Sequence, residues 1–134
     1  MTDICESGNL MKSHVMWKMK FKISTSFGDK FNTEIINKSN FCTLGKWLHS
    51  EKIYSKFSHL DSYLDCVKQH ELFHIEASKL AKLSNDSKSE EALLLLDDSS
   101  SAFNLTSAAV TASISKLLLD LDNLNALNKK IVEI

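Results

Sequence analysis

Apolar residues recur along this chain in steps of three and four, the spacing that places side chains on one face of an α-helix. The first such stripe runs Leu10, His14, Trp17, Phe21, Ser24, Gly28, Phe31, Ile35. It predicts one long helix, with Asn9 as a suitable cap ahead of it. Residues 37–40 form a polar break, and the segment Phe41-Cys42-Thr43-Leu44-Gly45-Lys46-Trp47-Leu48 then reads as a short helix with Cys42 at its first turn. A further helix is predicted over residues 58–83, its stripe carrying Leu60, Tyr63, Val67, His70, His74, Ala77 and Ala81, with a turn at 84–87. Residues 88–134 favour helix, interrupted at 97–101 by short polar side chains. Beyond that break the seam Val110, Ile114, Leu117, Leu121, Leu124, Asn128, Ile131 keeps the same steps and offers a surface for a homodimer. Asn128 admits two readings, a polar residue that sets the register of a coiled coil or one already outside the core near a fraying end.

The pattern predicts an all-α fold, a four-helix bundle with an additional short helix that carries Cys42. Composition agrees: the 134 residues contain no proline and three glycines, so β-turns are poorly served. With 43% hydrophobic residues the chain can bury one core. Residues 1–8 are expected to be a flexible tail, and 9–134 a single domain. The tail carries Asp3 and Glu6 and has no basic start or apolar run, so it does not read as a signal peptide. The Leu93 to Leu96 run is too short to cross a bilayer, and a soluble, cytoplasmic protein without membrane insertion is expected. A formal net charge of −1 offers no electrostatic footprint for nucleic acid. Lys12, Lys18, Lys20 and Lys22 alternate with apolar residues and read as the solvated face of the first helix.

Chemistry enters through histidine and cysteine. Three cysteines, an odd number, argue against a disulfide framework in a reducing compartment and for a metal ligand or reactive thiol. His70 and His74 are four apart, so both rings project from one face of their helix. His14 lies on a predicted core stripe, where a ring nitrogen without a partner is costly. Each residue alone has a bland reading as a satisfied core side chain. Together, His14, Cys42, His70 and His74 offer the four nitrogen and sulfur donors of a closed tetrahedral zinc site, the type that is structural or sensory rather than hydrolytic. At a helix N-terminus the Cys42 thiolate is expected to be favoured by the helix dipole and free backbone N–H groups. Trp17, Gly45, Trp47 and Phe73 are expected around the donors, walling them from water.

The string His14-x-x-Trp17, then Cys42-x-Leu44-Gly45-Lys46-Trp47-Leu48, then His70-x-x-Phe73-His74 resembles the bacterial chemoreceptor zinc-binding (CZB) domain family, over roughly residues 10–121. The resemblance implies a helical bundle, frequently a homodimer, with one zinc per chain held by His14, Cys42, His70 and His74. It also implies cytosolic sensing of zinc or of oxidants through a redox-sensitive Cys42, with chemotaxis or cyclic-di-GMP signalling proteins as output partners. Relatives often carry an acidic residue shortly before the ligand cysteine; here Ser39 and Asn40 stand there.

Two other chemistries use the same residues. His70-Glu71-Leu72-Phe73-His74 matches the His-Glu-x-x-His signature of zinc proteases, in which the glutamate is general base and one metal position stays open. A histidine phosphotransfer bundle, or a metal-free helical interaction module, is the other, and phosphotransfer needs a solvent-facing histidine beside a basic residue. Cys66, one turn before His70, is a rival sulfur donor that reads better as core. His49 and His59 are expected at the surface, and Cys5 in the tail. A non-catalytic role is expected.

Overall fold

The computed structural model describes residues 16–38 and 42–133. Among these residues all regular structure is helix. Helix α1 covers residues 16–26. It is followed by α2 (Thr33–Asn37), α3 (Thr43–Leu48), α4 (Glu51–Phe57), α5 (Asp61–Asn85), α6 (Ser89–Asp97) and α7 (Ala102–Glu133).

The long first helix expected from the stripe is broken. Backbone bonds from Gly28 N–H to the Thr25 carbonyl (3.1 Å) and from Asp29 N–H to the Ser24 carbonyl (3.0 Å) terminate α1. Gly28 holds φ = 74°, the left-handed conformation this ending requires. The stripe continues through Phe31 and Ile35 in sequence only. Phe31 lies in the connection and stacks on Phe21 with centroids 4.7 Å apart, whereas Ile35 in the separate α2 is exposed. A second helix ending of the same form closes α5. Lys88 N–H reaches the Leu83 carbonyl (2.9 Å) and Ser87 N–H the Ser84 carbonyl (3.3 Å). Here the left-handed position is a serine, Ser87, with φ = 65°.

The other expected boundaries hold closely. The 58–83 helix is α5, longer by two residues at its C-terminal end and starting three later. The polar break at 97–101 separates α6 from α7. It is organised by side chains with local donors and acceptors. Ser101 Oγ accepts from Asn104 N–H (3.2 Å), and the Asn104 amide donates back to the carbonyls of Leu96 (2.8 Å) and Asp98 (2.7 Å). Helix α4 is not marked by the apolar pattern; Ser50 caps it by accepting from Ile53 N–H.

The core lies between α5 and α7. Tyr63, Cys66, Phe73, Ala77, Leu80 and Ala81 on one helix are buried together with Phe103, Val110, Ile114, Leu117 and Leu121 on the other. The seam that offered a surface to a second copy is thus spent, as far as Leu121, inside the chain; the side chains of Asn128 and Ile131 lie outside the described residues. Residues Ala102–Leu124 are long and apolar enough to cross a membrane by length and composition, but this stretch supplies the buried residues of α7 just named. Trp17 of α1 completes an aromatic cluster, stacked on Phe21 (5.1 Å) and edge-on to Phe73 (5.5 Å).

Candidate metal centre

Three of the four expected donors converge. Cys42 Sγ lies 3.0 Å from His70 Nε2, and His70 Nε2 lies 2.9 Å from His74 Nε2. All three donor atoms fall within 4.8 Å of one another. His14 lies outside the described residues, as do Ser39, Asn40, Cys5 and the 1–8 tail. Trp17, three positions after His14, packs on Phe73, the neighbour of His74.

Each donor is placed by local physics. His70 and His74 stand one turn apart on the inward face of α5, with 0% and 3% of their surface exposed. Their rings are near perpendicular, at 88° with centroids 4.5 Å apart, so both Nε2 atoms point to one spot rather than stacking. Cys42 is the N-cap of α3: its backbone is extended (φ −84°, ψ 167°), and Sγ accepts from Gly45 N–H at 3.4 Å. The cap turns the thiol inward, and the Tyr63 hydroxyl, which donates to the Leu48 carbonyl, fastens the far end of α3 to α5. Gly45 and Trp47 are buried beside it.

Burial also sets the protonation states. It pushes the Cys42 thiol up, against the lowering effect of the Gly45, Leu44 and Cys42 backbone N–H groups and of Lys46. The expectation of a thiolate favoured by the helix terminus is therefore corrected. The N–H groups and charge act in the expected direction, but desolvation in this pocket outweighs them. A metal cation would reverse that balance, since a coordinated thiol loses its proton. His74 is shifted down by burial, partly opposed by its bond to the Ile36 carbonyl, so its neutral ligand form is favoured. Nδ1 of His74 donates to that carbonyl at 2.8 Å, which leaves Nε2 as the lone-pair donor. Sequence pattern gives no hint of this contact, because a main-chain carbonyl has no residue signature.

The donor set suits a metal such as zinc: one sulfur, two imidazoles, no carboxylate among the described residues of the group. Two nitrogens on a tetrahedral zinc stand about 3.3 Å apart, so the 2.9 Å pair needs only a few tenths of an ångström of opening. Cys66 is not part of the group. It is fully buried, bonded to Ser113, and its thiol is pushed up to about 11, chiefly by desolvation. Glu71 is exposed, and so are His49 and His59. Comparison of the chain with family models, curated proteins and solved structures gives no match.

Proposed function

We propose that the chain is a zinc-binding regulatory domain of the CZB type, a cytoplasmic helical bundle framed by α1, α5, α6 and α7. In this reading His14 joins Cys42, His70 and His74 to close a site for one zinc. The observation that carries it is the convergence of the half-buried Cys42 Sγ with two buried imidazole nitrogens. The apolar wall is further support, as is a group of donors with no carboxylate among the described residues. When bound, zinc holds Cys42 as thiolate, the form that oxidants attack. The chain's own part is to present the three donors pre-oriented, the two imidazoles buried, and to tie α3 to α5 through them. Loss of zinc or oxidation of Cys42 then loosens α3, and a chemotaxis or cyclic-di-GMP signalling protein reads that change.

Two features weigh against the alternatives. Hydrolysis through His70-Glu71-x-x-His74 needs Glu71 beside the metal, and Glu71 is exposed whereas both imidazoles are buried. Phosphotransfer at His70 or His74 needs an exposed imidazole, and both are buried; His49 and His59 are the exposed histidines among the described residues. A homodimer belongs to the same reading. With the α7 seam spent within the chain, one apolar surface left to pair is the outer face of α1, where Met19 and Ile23 are exposed, continued by Phe27 just past its end. A monomeric mass by light scattering at micromolar concentration, retained with zinc present, would sink the dimer.

Metal content by mass spectrometry tests the site. Purified protein should carry one zinc per chain, lost or strongly weakened in Cys42→Ala and in His14→Ala. Metal-free protein that also fails to take up added zinc would refute the reading. Full zinc retention in His14→Ala alone would remove only the fourth ligand.

A further inference from the structure

Residues 30–38, which include α2, are held to α5 in an unusual way. No residue of α2 is buried. Phe31, Thr33 and Ile36 of the segment are half-buried, and Phe31 and Ile36 pack against the core. The rest of the attachment is hydrogen bonding, mostly from α5 side chains to main chain. Asn85 accepts from Phe31 N–H (2.8 Å) and donates to the Phe31 carbonyl (2.9 Å), imitating a strand partner. Lys30 Nζ donates to the Asn85 carbonyl (2.7 Å), and Ser78 Oγ to the Thr33 carbonyl (3.3 Å). The last bond in this series comes from the metal site itself, His74 Nδ1 to the Ile36 carbonyl (2.8 Å).

We propose that residues 30–38 form a strap whose docking on α5 is thermodynamically coupled to metal binding through the His74–Ile36 bond. The inference rests on the metal-binding reading and assigns that site its responsive element. The coupling turns on which nitrogen of His74 carries hydrogen. With a metal on Nε2, the hydrogen must sit on Nδ1 and point at the Ile36 carbonyl, and the metal strengthens that donor. Without metal, His74 Nε2 faces His70 Nε2 at 2.9 Å, a separation that requires a hydrogen on one of them. Whenever neutral His74 supplies it, the Nδ1 lone pair opposes the Ile36 carbonyl oxygen and the strap loses its bond. A bound metal removes that competing arrangement. A segment without a fully buried side chain is loosened by the loss of such a bond.

Coupling is reciprocal: the factor by which zinc tightens the strap is the factor by which the strap tightens zinc. Asn85 provides the lever. It is eleven residues from His74, about 16 Å along the helix, and belongs to none of the donors. Hydrogen exchange of the full chain, with zinc and with chelator, is the direct test, run beside zinc titrations of Asn85→Ala and Ser78→Ala. Zinc should slow exchange at residues 30–38 about tenfold, an amount within the usual range of coupling between sites. Amides of α6 that exchange by local opening should stay unchanged, and the core amides of α7 should slow only by the global stabilisation that zinc binding confers. Asn85→Ala should weaken zinc about fivefold or more by the same linkage, and Ser78→Ala less. Zinc that binds one per chain yet leaves exchange at 30–38 unaltered overturns the strap and leaves the metal site standing. Unchanged zinc affinity in a folded Asn85→Ala protein does the same. If the Asn85 variant does not fold, unchanged zinc affinity and exchange in Ser78→Ala count against the strap in its place. Failure to bind zinc at all removes both.

Discussion

Helix α5 has two sides that are held by different physics. Toward α7 it presents Cys66, Phe73, Ala77 and Ala81, each no more than 1% exposed, against Val110, Ile114 and Leu117. Toward residues 30–38 and Cys42 it presents His70, His74, Ser78 and Asn85, and meets main-chain groups and one thiol through hydrogen bonds. Apolar burial is non-directional and offers no donor for a metal ion to occupy, so the first side is a permanent frame. Polar contacts of this kind contribute only about 0.5–1.5 kcal/mol each, and their strength depends on what occupies the donors. The second side can therefore respond to a ligand while the first does not.

Four measurements probe this division. Leu117→Ala, in the permanent frame, should cost about 2–5 kcal/mol in urea unfolding, by the same amount with and without zinc. A loss that zinc repairs would blur the distinction between the two sides. Next in size, zinc at a hundredfold excess over its dissociation constant should add about 2.7 kcal/mol to stability. Chelation should remove that increment from the wild type, and Cys42→Ala should not show it.

A pH series addresses the site side alone. The neutral form of His74 is favoured by burial, so the folded metal-free protein takes up its proton at lower pH than the unfolded chain, whose value is near 6.5. The unfolded state then binds more protons below that value, and stability should decline as pH falls below 6.5. His74→Gln should flatten this part of the profile, whereas a profile unchanged by that substitution would contradict the assignment. The smallest effect is a backbone one. Ser87 occupies the left-handed position that glycine adopts without strain. Ser87→Gly should stabilise by about 0.5–1 kcal/mol in thermal melts, independent of zinc, because it touches neither side.

Legibility in the sequence follows the same division. The stripes of α5 and α7 are readable because a buried helix face repeats every three to four residues whatever its partner is. Tyr63, His70, His74, Ala77 and Ala81 are placed correctly from spacing alone, and so are Val110, Ile114 and Leu117. The stripe through Gly28 misleads because its periodicity persists across a turn that the local backbone imposes. Helix α4, seven residues long, is too brief to show a period.

Within the site, residue type and spacing singled out Cys42, His70 and His74, the three that converge, and the pairing of His70 with His74, because an i, i+4 relation is a property of the helix itself. Packing between segments was needed to bring Cys42 to them from 28 residues away and to make burial outweigh the helix terminus at its thiol. It was needed also to set the Ile36 carbonyl against His74. Those three outcomes depend on distance and desolvation between segments remote in the chain, and neither quantity is carried by residue type or spacing.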